Sequence, residues 1–505
     1  MQKYLKNIYI VIASIAIIAV IGLANIDHIF TGNIVKTIKV ILISALEIGF
    51  LFIINRFIIN KISDKKKRII TIVGLAIFLI LEIISYIYFR VEFSWDFKWL
   101  MESAMEKATT GDIEAIFYFK RFPNNLGALF FVTGAIKLFN NSYLGAYVLN
   151  IVFVFLSAVF TVLVARKMGG EKLGLNVMIV LLGFMPIYLN TPIVYTDSLS
   201  IAFPVATLYF WMLAKEQRDK SKKKYYTYLV LMTLITVIAY AIKANASIVC
   251  MAILIESIFN FKKLWKPILT MLILAVVLTK GINIYNEKCV LKDQRKNDVE
   301  FPLTHWVMLG LSRPISEGGK ATGYGSYNQE DADYTAERET YNDKLEANKS
   351  EIKKRLNEFG LNGYVRFLFK KFAYVWNDGS YWVLTNLGKG PLKTDGIMYR
   401  LVLGDLSYKF VRPYMTYFND AIFILMFLFI IKKVIKKDMD EETRVIGISI
   451  VGNAIFLLIW EASSRYIYLI IPLFVLLSAR AIVDLSDNVK KIGKSSNKKI
   501  KKEGK

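Results

Sequence analysis

The chain has few of the residues that mark metal-dependent and disulfide-stabilised proteins. Its 505 residues include only two histidines and two cysteines, which excludes a His-rich metal site and a disulfide framework. It also has no Walker phosphate loop, no HExxH motif, no paired CxxC and no GxSxG elbow. The sequence therefore predicts no metal site and no cofactor; a requirement for a divalent cation is possible but has no support in the sequence.

Long apolar runs are the main feature that the chain does have. Hydrophobic residues make up 55% of it, and a helix needs about 20 apolar residues to cross a bilayer. The runs do not alternate as barrel strands would, so the sequence predicts an all-α polytopic membrane protein. About twelve transmembrane helices are predicted, at residues 8–24, 34–55, 69–89, 143–165, 173–190, 197–214, 226–242, 245–259, 266–285, 417–434, 445–461 and 466–483.

The basic excess orients these spans. The net charge is +24, but the lysines and arginines cluster in short segments between spans, as the positive-inside rule requires. This favours contact with anionic membrane lipids over a nucleic-acid partner. Residues 124–139 are apolar but short, with two glycines and Lys137. If this segment crossed the membrane, Lys215–Lys224 would fall outside. Runs of this length are more often interfacial than spanning, so we predict that every basic cluster and both termini lie in the cytoplasm and that Asp96 and Asp197 lie outside.

The order of the spans divides the chain into five parts. Two N-terminal spans (1–68) precede a transmembrane core (69–285) whose outer loop, 90–142, contains interfacial helices. An extracytoplasmic insertion (286–416), the C-terminal spans (417–485) and a cytoplasmic lysine-rich tail (486–505) follow. Within the insertion, the periodicity of 363–377 predicts an interfacial helix with Arg366, Lys370 and Lys371 on its polar face.

Asp96 is the first candidate for chemistry, because it follows the run 69–89 directly. A carboxylate between Trp95 and Phe97 at the membrane interface is partly desolvated, which tends to raise its pKa and makes it a useful proton acceptor. The alternative is a carboxylate that stabilises the N-terminus of the following helix.

A second group of candidates would bind substrate. Asp197 lies at the mouth of another span. It is a candidate polar anchor for an acceptor hydroxyl or a sugar, and the alternative is that it caps the helix that follows. Tyr118, Arg121 and Asn124 could stack on a sugar and bind phosphate; the alternative is an interfacial anchor of aromatic and basic residues.

Four further charged or aromatic side chains lie at the outer ends of later spans. Glu461, Arg465 and Tyr466 share a tight connection, where the arginine could hold a lipid phosphate or simply pair with the glutamate. Lys243 interrupts an otherwise apolar segment, which is costly unless it faces a polar cavity or reaches the surface. We interpret it as a phosphate contact.

The order of these motifs resembles the GT-C class of polytopic glycosyltransferases, in particular bacterial relatives of protein O-mannosyltransferases and of the aminoarabinose transferases that modify lipid A. The similarity runs unevenly from about residue 69 to residue 483. It rests on Ser94-Trp95-Asp96, on the segment from Tyr118 to Asn125, on Thr196-Asp197 and on Glu461 with Arg465-Tyr466. Asn124-Asn125 stands where the family typically has a proline pair.

This resemblance implies an inverting transfer of a sugar from a polyprenyl-phosphate donor to an extracytoplasmic cell-envelope glycan, lipid or protein. Asp96 would be the general base, and Lys243, Arg121 or Arg465 would stabilise the phosphate leaving group. Two other functions compete with this one. A transporter or flippase of lipid-linked sugars would show paired halves and midplane charges, and a polysaccharide polymerase would rely on arginine-rich outer loops.

Overall fold

The computed structural model describes residues 2–29, 34–258, 261–291, 298–317 and 320–503, and these residues are mostly helical. The first half of the chain forms thirteen helices. They are α1 Gln2–Ile29, α2 Ile34–Ile53, α3 Asp64–Tyr88, α4 Trp95–Thr109, α5 Ile116–Arg121, α6 Leu126–Leu138, α7 Tyr143–Gly183, α8 Met185–Leu189, α9 Thr196–Ser200, α10 Ala202–Gln217, α11 Lys222–Ile242, α12 Ile248–Ile258 and α13 Phe261–Tyr285.

The second half adds eight helices and one short hairpin. The helices are α14 Leu303–Leu309, α15 Gln329–Ala336, α16 Tyr341–Trp376, α17 Val383–Leu387, α18 Gly396–Val402, α19 Val411–Lys436, α20 Glu441–Ile459 and α21 Ile471–Glu503. The hairpin pairs β1 Ser316–Glu317 with β2 Lys320–Ala321. Four 3-10 segments, Ile59–Lys61, Pro123–Asn125, Ala244–Ser247 and Ser464–Ile470, and two π segments, Ile54–Ile58 and Asn286–Val290, adjoin these helices.

Every span predicted from the sequence coincides with helix, but not every helix is long enough to cross a bilayer. In the described part of the chain, nine helices have the required length and hydropathy. The predicted span 143–165 lies in the first part of α7, which is kinked at Gly169 and Gly170 (φ 67° at Gly170). The predicted span 173–190 covers the rest of α7 and continues into α8. The predicted span 245–259 corresponds to the short apolar helix Ala244–Ile258, and residue 259 lies outside the described residues.

Two spans form the centre of the bundle. In Thr196–Gln217 and in Ser464–Asp487, 83% of the residues are buried, against 6% in Leu264–Val290 at the edge. Both central spans begin at the same end of the bundle, where Asp197 and Arg465 lie. Because a buried scaffold holds side chains firmly, this end is suited to a site that needs fixed geometry.

The opposite end of the bundle holds a group of ion pairs. Lys215 contacts Glu441 at 2.6 Å and Glu442 at 2.8 Å, and Arg480 contacts Asp440 at 2.6 Å. Lys215 lies near the end of α10, Asp440 to Glu442 lie at the start of α20 and Arg480 lies in α21, so this cluster is one helix length away from Asp197. The side chains of the predicted tail beyond residue 487 lie outside those that the structure describes.

The region predicted as an insertion packs onto the end of the bundle that carries Asp197. Helix α16 contacts both α20 and the 3-10 segment Ser464–Ile470, and the left-handed Gly360 divides it into two parts. One expectation for α16 is wrong: Lys371, assigned to a polar face, is fully buried. Its neighbour Lys370 is exposed as expected.

Candidate functional site

Asp96 lies in the first turn of α4, directly after a strained residue. Trp95 has a φ of 48°, a left-handed conformation that costs a non-glycine residue roughly 1–2 kcal/mol. The preceding strand-like segment is held by backbone bonds from Glu92 N to Gly390 O (2.8 Å) and from Leu392 N to Arg90 O (2.9 Å). The insertion therefore fixes the approach to α4, and the strain at Trp95 sets where Asp96 points.

The carboxylate of Asp96 is oriented by a chain of polar groups. The Tyr195 hydroxyl donates to Asp96 Oδ2 at 3.1 Å and also lies 3.4 Å from Asn125 Oδ1. Asn125 Nδ2 in turn donates to the Tyr118 hydroxyl at 2.7 Å. Burial is the main cause that raises the pKa of both tyrosine hydroxyls well above its usual value, and nearby negative charge, including that of Asp96, adds to the shift. Both hydroxyls therefore stay protonated, so Tyr195 can donate to the carboxylate.

Arg465 brings the far end of the chain to the same place. Its Nη2 atom lies 4.0 Å from Asp96 Oδ2, where the arginine side chain is 18% exposed and the aspartate 36%. The guanidinium lies 5.3 Å from the ring centre of Trp95 and 5.6 Å from that of Tyr195, within cation–π range. A buried cation therefore faces a carboxylate that remains open to an incoming group.

Glu461 and Tyr466 support Arg465. Arg465 Nη2 donates to the Tyr466 hydroxyl at 3.1 Å, and that hydroxyl donates to Glu461 Oε1 at 2.9 Å. Burial raises the pKa of Glu461, against the lowering effect of Arg465 and of the Tyr466 hydrogen bond. The three residues that the sequence grouped at this connection thus form one hydrogen-bonded chain that leads to Asp96.

Asp197 and Lys243 form a buried ion pair beside this chain. Lys243 Nζ donates to Asp197 Oδ1, and only 13% of the lysine and 7% of the aspartate side chain are exposed. The ammonium also lies 4.3 Å from the centre of the Tyr466 ring. Because Asp197 already neutralises Lys243 in part, this lysine has less charge to offer a phosphate than its position at the end of a span suggested.

The loop that carries Glu461 and Arg465 is held by the insertion. Lys371 Nζ donates to three backbone carbonyls, those of Gly310 (2.6 Å), Leu458 (3.0 Å) and Trp460 (2.7 Å). Burial lowers the pKa of Lys371 to about 7, and Glu461 opposes the shift. A single buried amine thus joins α14, α16 and the end of α20.

Two further bonds fix the same loop. Ala462 N donates to Gly325 O at 2.7 Å, and Ser464 Oγ donates to Asp378 Oδ2 at 2.7 Å. Gly325 has a φ of 67°, and a Cβ there would lie 2.6 Å from the Lys371 side chain, so the turn requires glycine. The insertion therefore acts as a scaffold for Glu461 and Arg465.

Two of the candidate residues lie apart from the cluster. The Arg121 guanidinium lies 5.1 Å from the centre of the Phe301 ring, facing the start of the insertion. Asn124 is exposed, and its amide donates to its neighbour Asn125. The structure therefore joins Tyr118 to Asp96 through Asn125 and Tyr195. Asn124 touches this chain only through its bond to Asn125, and Arg121 lies outside it.

Sequence reasoning missed four residues that the structure places at this site. Tyr195 and Asn125 adjoin residues that were selected, Asp197 and Asn124, but neither carries a charge. Lys389 lies 5.1 Å from the Trp95 ring centre. Asn386, on the same insertion segment, has a buried side-chain oxygen that finds no hydrogen-bond partner among the described residues. No local pattern marks the last two, because only the folding of the insertion brings them to the site.

A small cleft lies beside Asp197 and Arg465. Its cavity volume is about 10 Å³, which is room for about one water molecule. Its lining combines hydroxyl, amide and aromatic groups, from Asn190, Ile193, Tyr195, Asp197, Ser198, Tyr381, Asn386, Arg465 and Tyr468. In the part of the chain that the structure describes, no group of three His, Cys, Asp or Glu side chains is arranged to hold a metal ion. The site thus offers a carboxylate, buried cations and a polar cleft.

The helical bundle and its apolar spans define an integral membrane protein. Residues 1–484 match the model of the family described as conserved hypothetical integral membrane protein. The chain belongs to this family. No curated protein sequence matches it.

Among solved structures, the chain is similar to ArnT from Cupriavidus metallidurans. The form bound to undecaprenyl phosphate is 11% identical with a TM-score of 0.36, and the apo form is 12% identical with a TM-score of 0.35. In each comparison 82% of this chain and 77% of the other is covered. Both TM-scores are below 0.5, so we draw no functional conclusion from them.

Proposed function

We propose that the protein is an inverting glycosyltransferase that moves a sugar from a polyprenyl-phosphate donor to an acceptor of the cell envelope. The observation that carries this proposal is the position of Asp96. Its carboxylate is open to solvent on one side, accepts a hydrogen bond from Tyr195 and lies 4.0 Å from the buried Arg465. A base beside a fixed cation suits a reaction in which a hydroxyl loses a proton and a phosphate departs.

The reaction then needs a single displacement. Asp96 takes the proton of the acceptor hydroxyl as its oxygen attacks the anomeric carbon from the face opposite the phosphate. The bond between that carbon and the phosphate oxygen breaks, and its electron pair leaves with the phosphate. Arg465 stabilises the charge that develops there. A phosphate is already a good leaving group, so no second carboxyl is needed as an acid.

The cleft beside Asp197 is our candidate for the site of the donor sugar. Its hydroxyl and amide lining suits a ring with several hydroxyls, and its cavity of about 10 Å³ would have to widen for that ring to enter. The unpartnered oxygen of Asn386 could accept from one of them. A buried acceptor without a partner costs about 1–3 kcal/mol, so a sugar hydroxyl would recover that cost on binding.

The two ends of the bundle support our proposal for the membrane orientation. The basic clusters, including Lys215 and Lys222–Lys224, lie at the end opposite Asp96, and basic connections favour the cytoplasm. We therefore place the site on the extracytoplasmic side, with twelve spans and both termini cytoplasmic. The acceptor would then be an envelope glycan, lipid or protein.

Deletion of the gene, followed by analysis of the cell-envelope glycans, tests the function. We expect one glycan to lose a residue, and we expect a plasmid with the wild-type gene, but not one with Asp96→Asn, to restore it. Envelope glycans that are unchanged on deletion would contradict the proposal. Glycan loss that Asp96→Asn repairs fully would contradict it as well, and glycan loss together with donor trapped in the inner leaflet would indicate a flippase.

A further inference from the structure

We propose that Lys389, on the insertion, is the residue that captures the phosphate of the lipid-linked donor at the entrance of the site. This inference rests on the proposed function. It concerns a cation to which the sequence analysis assigned no role. It follows from the contacts that the three cations of the site, Lys243, Arg465 and Lys389, already make.

Two of those cations are committed within the protein. Lys243 is ion-paired with Asp197 and buried. Arg465 donates to Tyr466 and faces Asp96 from a side chain that is only 18% exposed. Both can stabilise charge that has reached the centre of the site, but neither is open to the solvent from which a headgroup arrives.

Lys389 differs from both. It is exposed, and among the described residues it makes no ion pair with a carboxylate within 4.0 Å. Its ammonium lies 5.1 Å from the centre of the Trp95 ring, and Arg465 lies 5.3 Å from the same ring. Loss of water and repulsion by Arg465 lower the pKa of Lys389, and Asp96 opposes this effect. An anion between the two cations would relieve their repulsion.

The backbone holds Lys389 at this position. The next residue, Gly390, has a φ of 74°, and a Cβ there would lie 3.1 Å from the carboxylate of Glu92. Gly390 O accepts from Glu92 N at 2.8 Å, four residues before Asp96. The bond from Lys389 N to Asn386 O (3.1 Å) links the lysine to the polar cleft. The segment therefore carries both a cation beside Trp95 and an amide that lines the cleft.

The source of the phosphate is a lipid rather than free phosphate. Lys389 lies beside Trp95, the first residue of α4, which begins seven residues after the membrane helix α3 ends at Tyr88. A headgroup anchored in the bilayer would arrive near this connection. A flexible, exposed lysine binds phosphate as a point charge, which suits an entrance that must also release the product.

Binding of polyprenyl phosphate to the full-length protein in nanodiscs of neutral lipid tests the inference. We expect Lys389→Ala to weaken binding by about ten- to hundredfold, the range for loss of a hydrogen bond to a charged group, and Lys389→Arg to restore most of it. Lys393→Ala is the matched control, since Lys393 is exposed on the same segment and lies over the Tyr88 ring. Its affinity should equal that of the wild type, and all three variants should keep the wild-type unfolding temperature.

The other outcomes separate two kinds of failure. If the wild type binds polyprenyl phosphate and Lys389→Ala binds it equally well, the role of Lys389 is refuted while the proposed function stands. If the wild type does not bind polyprenyl phosphate at all, both fail. Equal affinity for phosphatidic acid, or full competition by inorganic phosphate at equal concentration, would overturn the assignment to a polyprenyl-borne phosphate.

Discussion

Replacement of Lys371 by methionine should change how the stability of the protein depends on pH. Burial lowers the pKa of Lys371 in the folded protein from its ordinary value of 10.5 to about 7. Between these two values the unfolded chain binds more protons than the folded protein, so the stability of the wild type rises with pH. The slope approaches about 1.4 kcal/mol per pH unit. From pH 7.5 to 9.5, the wild type should thus gain roughly 2–3 kcal/mol relative to Lys371→Met.

The free energy of unfolding that Lys371→Met loses at a single pH is a separate quantity from this pH-dependent difference. Methionine keeps most of the apolar stem but leaves the carbonyls of Gly310, Leu458 and Trp460 without their shared donor. Each unsatisfied buried acceptor costs about 1–3 kcal/mol, and removal of the buried charge offsets part of this cost. The change of stability with pH does not depend on the balance between lost hydrogen bonds and removed charge. It is therefore a sharper test than the stability at one pH.

Equilibrium unfolding in mixed micelles, followed by tryptophan fluorescence at several pH values, measures the effect. Lys370→Met is the matched control, because Lys370 is the adjacent residue and is exposed; its stability should follow that of the wild type at every pH. Parallel curves for the wild type and Lys371→Met would refute the reasoning, since they would mean that Lys371 titrates alike in the folded and unfolded chain.

Two further predictions concern the site itself. Tyr195→Phe removes the hydroxyl that donates to Asp96 and should slow sugar transfer about ten- to hundredfold. Its unfolding temperature should stay that of the wild type. An equal loss of transfer rate in the control Tyr143→Phe would argue for a general packing effect. Lys243→Met or Asp197→Asn alone should cost about 3–5 kcal/mol, because each leaves a buried charge unpaired. The double variant should cost little more than either, and additive losses in chemical denaturation would show that the pair is not coupled.

The helical membrane-spanning character of the chain could be predicted because it depends on features that are local in sequence: an apolar run predicts a span wherever it occurs. The orientation inferred from the lysine clusters stays a prediction. Asp96 and Arg465 could be selected for a similar reason, since a charged side chain at the mouth of a span is conspicuous. Their contact, at 4.0 Å, could be expected only because both were assigned to the same side of the membrane.

The contribution of the insertion could not be predicted in this way. The periodicity of α16 assigned Lys370 and Lys371 to one polar face, yet the second is buried against carbonyls that come from Gly310 and the end of α20. Backbone acceptors leave no trace in the residue types of a sequence. Lys389 was missed because its position beside Trp95 depends on the pairing of two segments about 300 residues apart.

The rate at which Asp96→Asn releases polyprenyl phosphate from a polyprenyl-phosphate sugar, measured in a single turnover, tests the central claim most directly. General base catalysis contributes about 100- to 10,000-fold, so the variant should be slower by that factor while its affinity for the donor stays close to that of the wild type. Glu102→Gln, on the exposed face of the same helix, should leave the rate unchanged. A wild-type rate in Asp96→Asn would contradict the account.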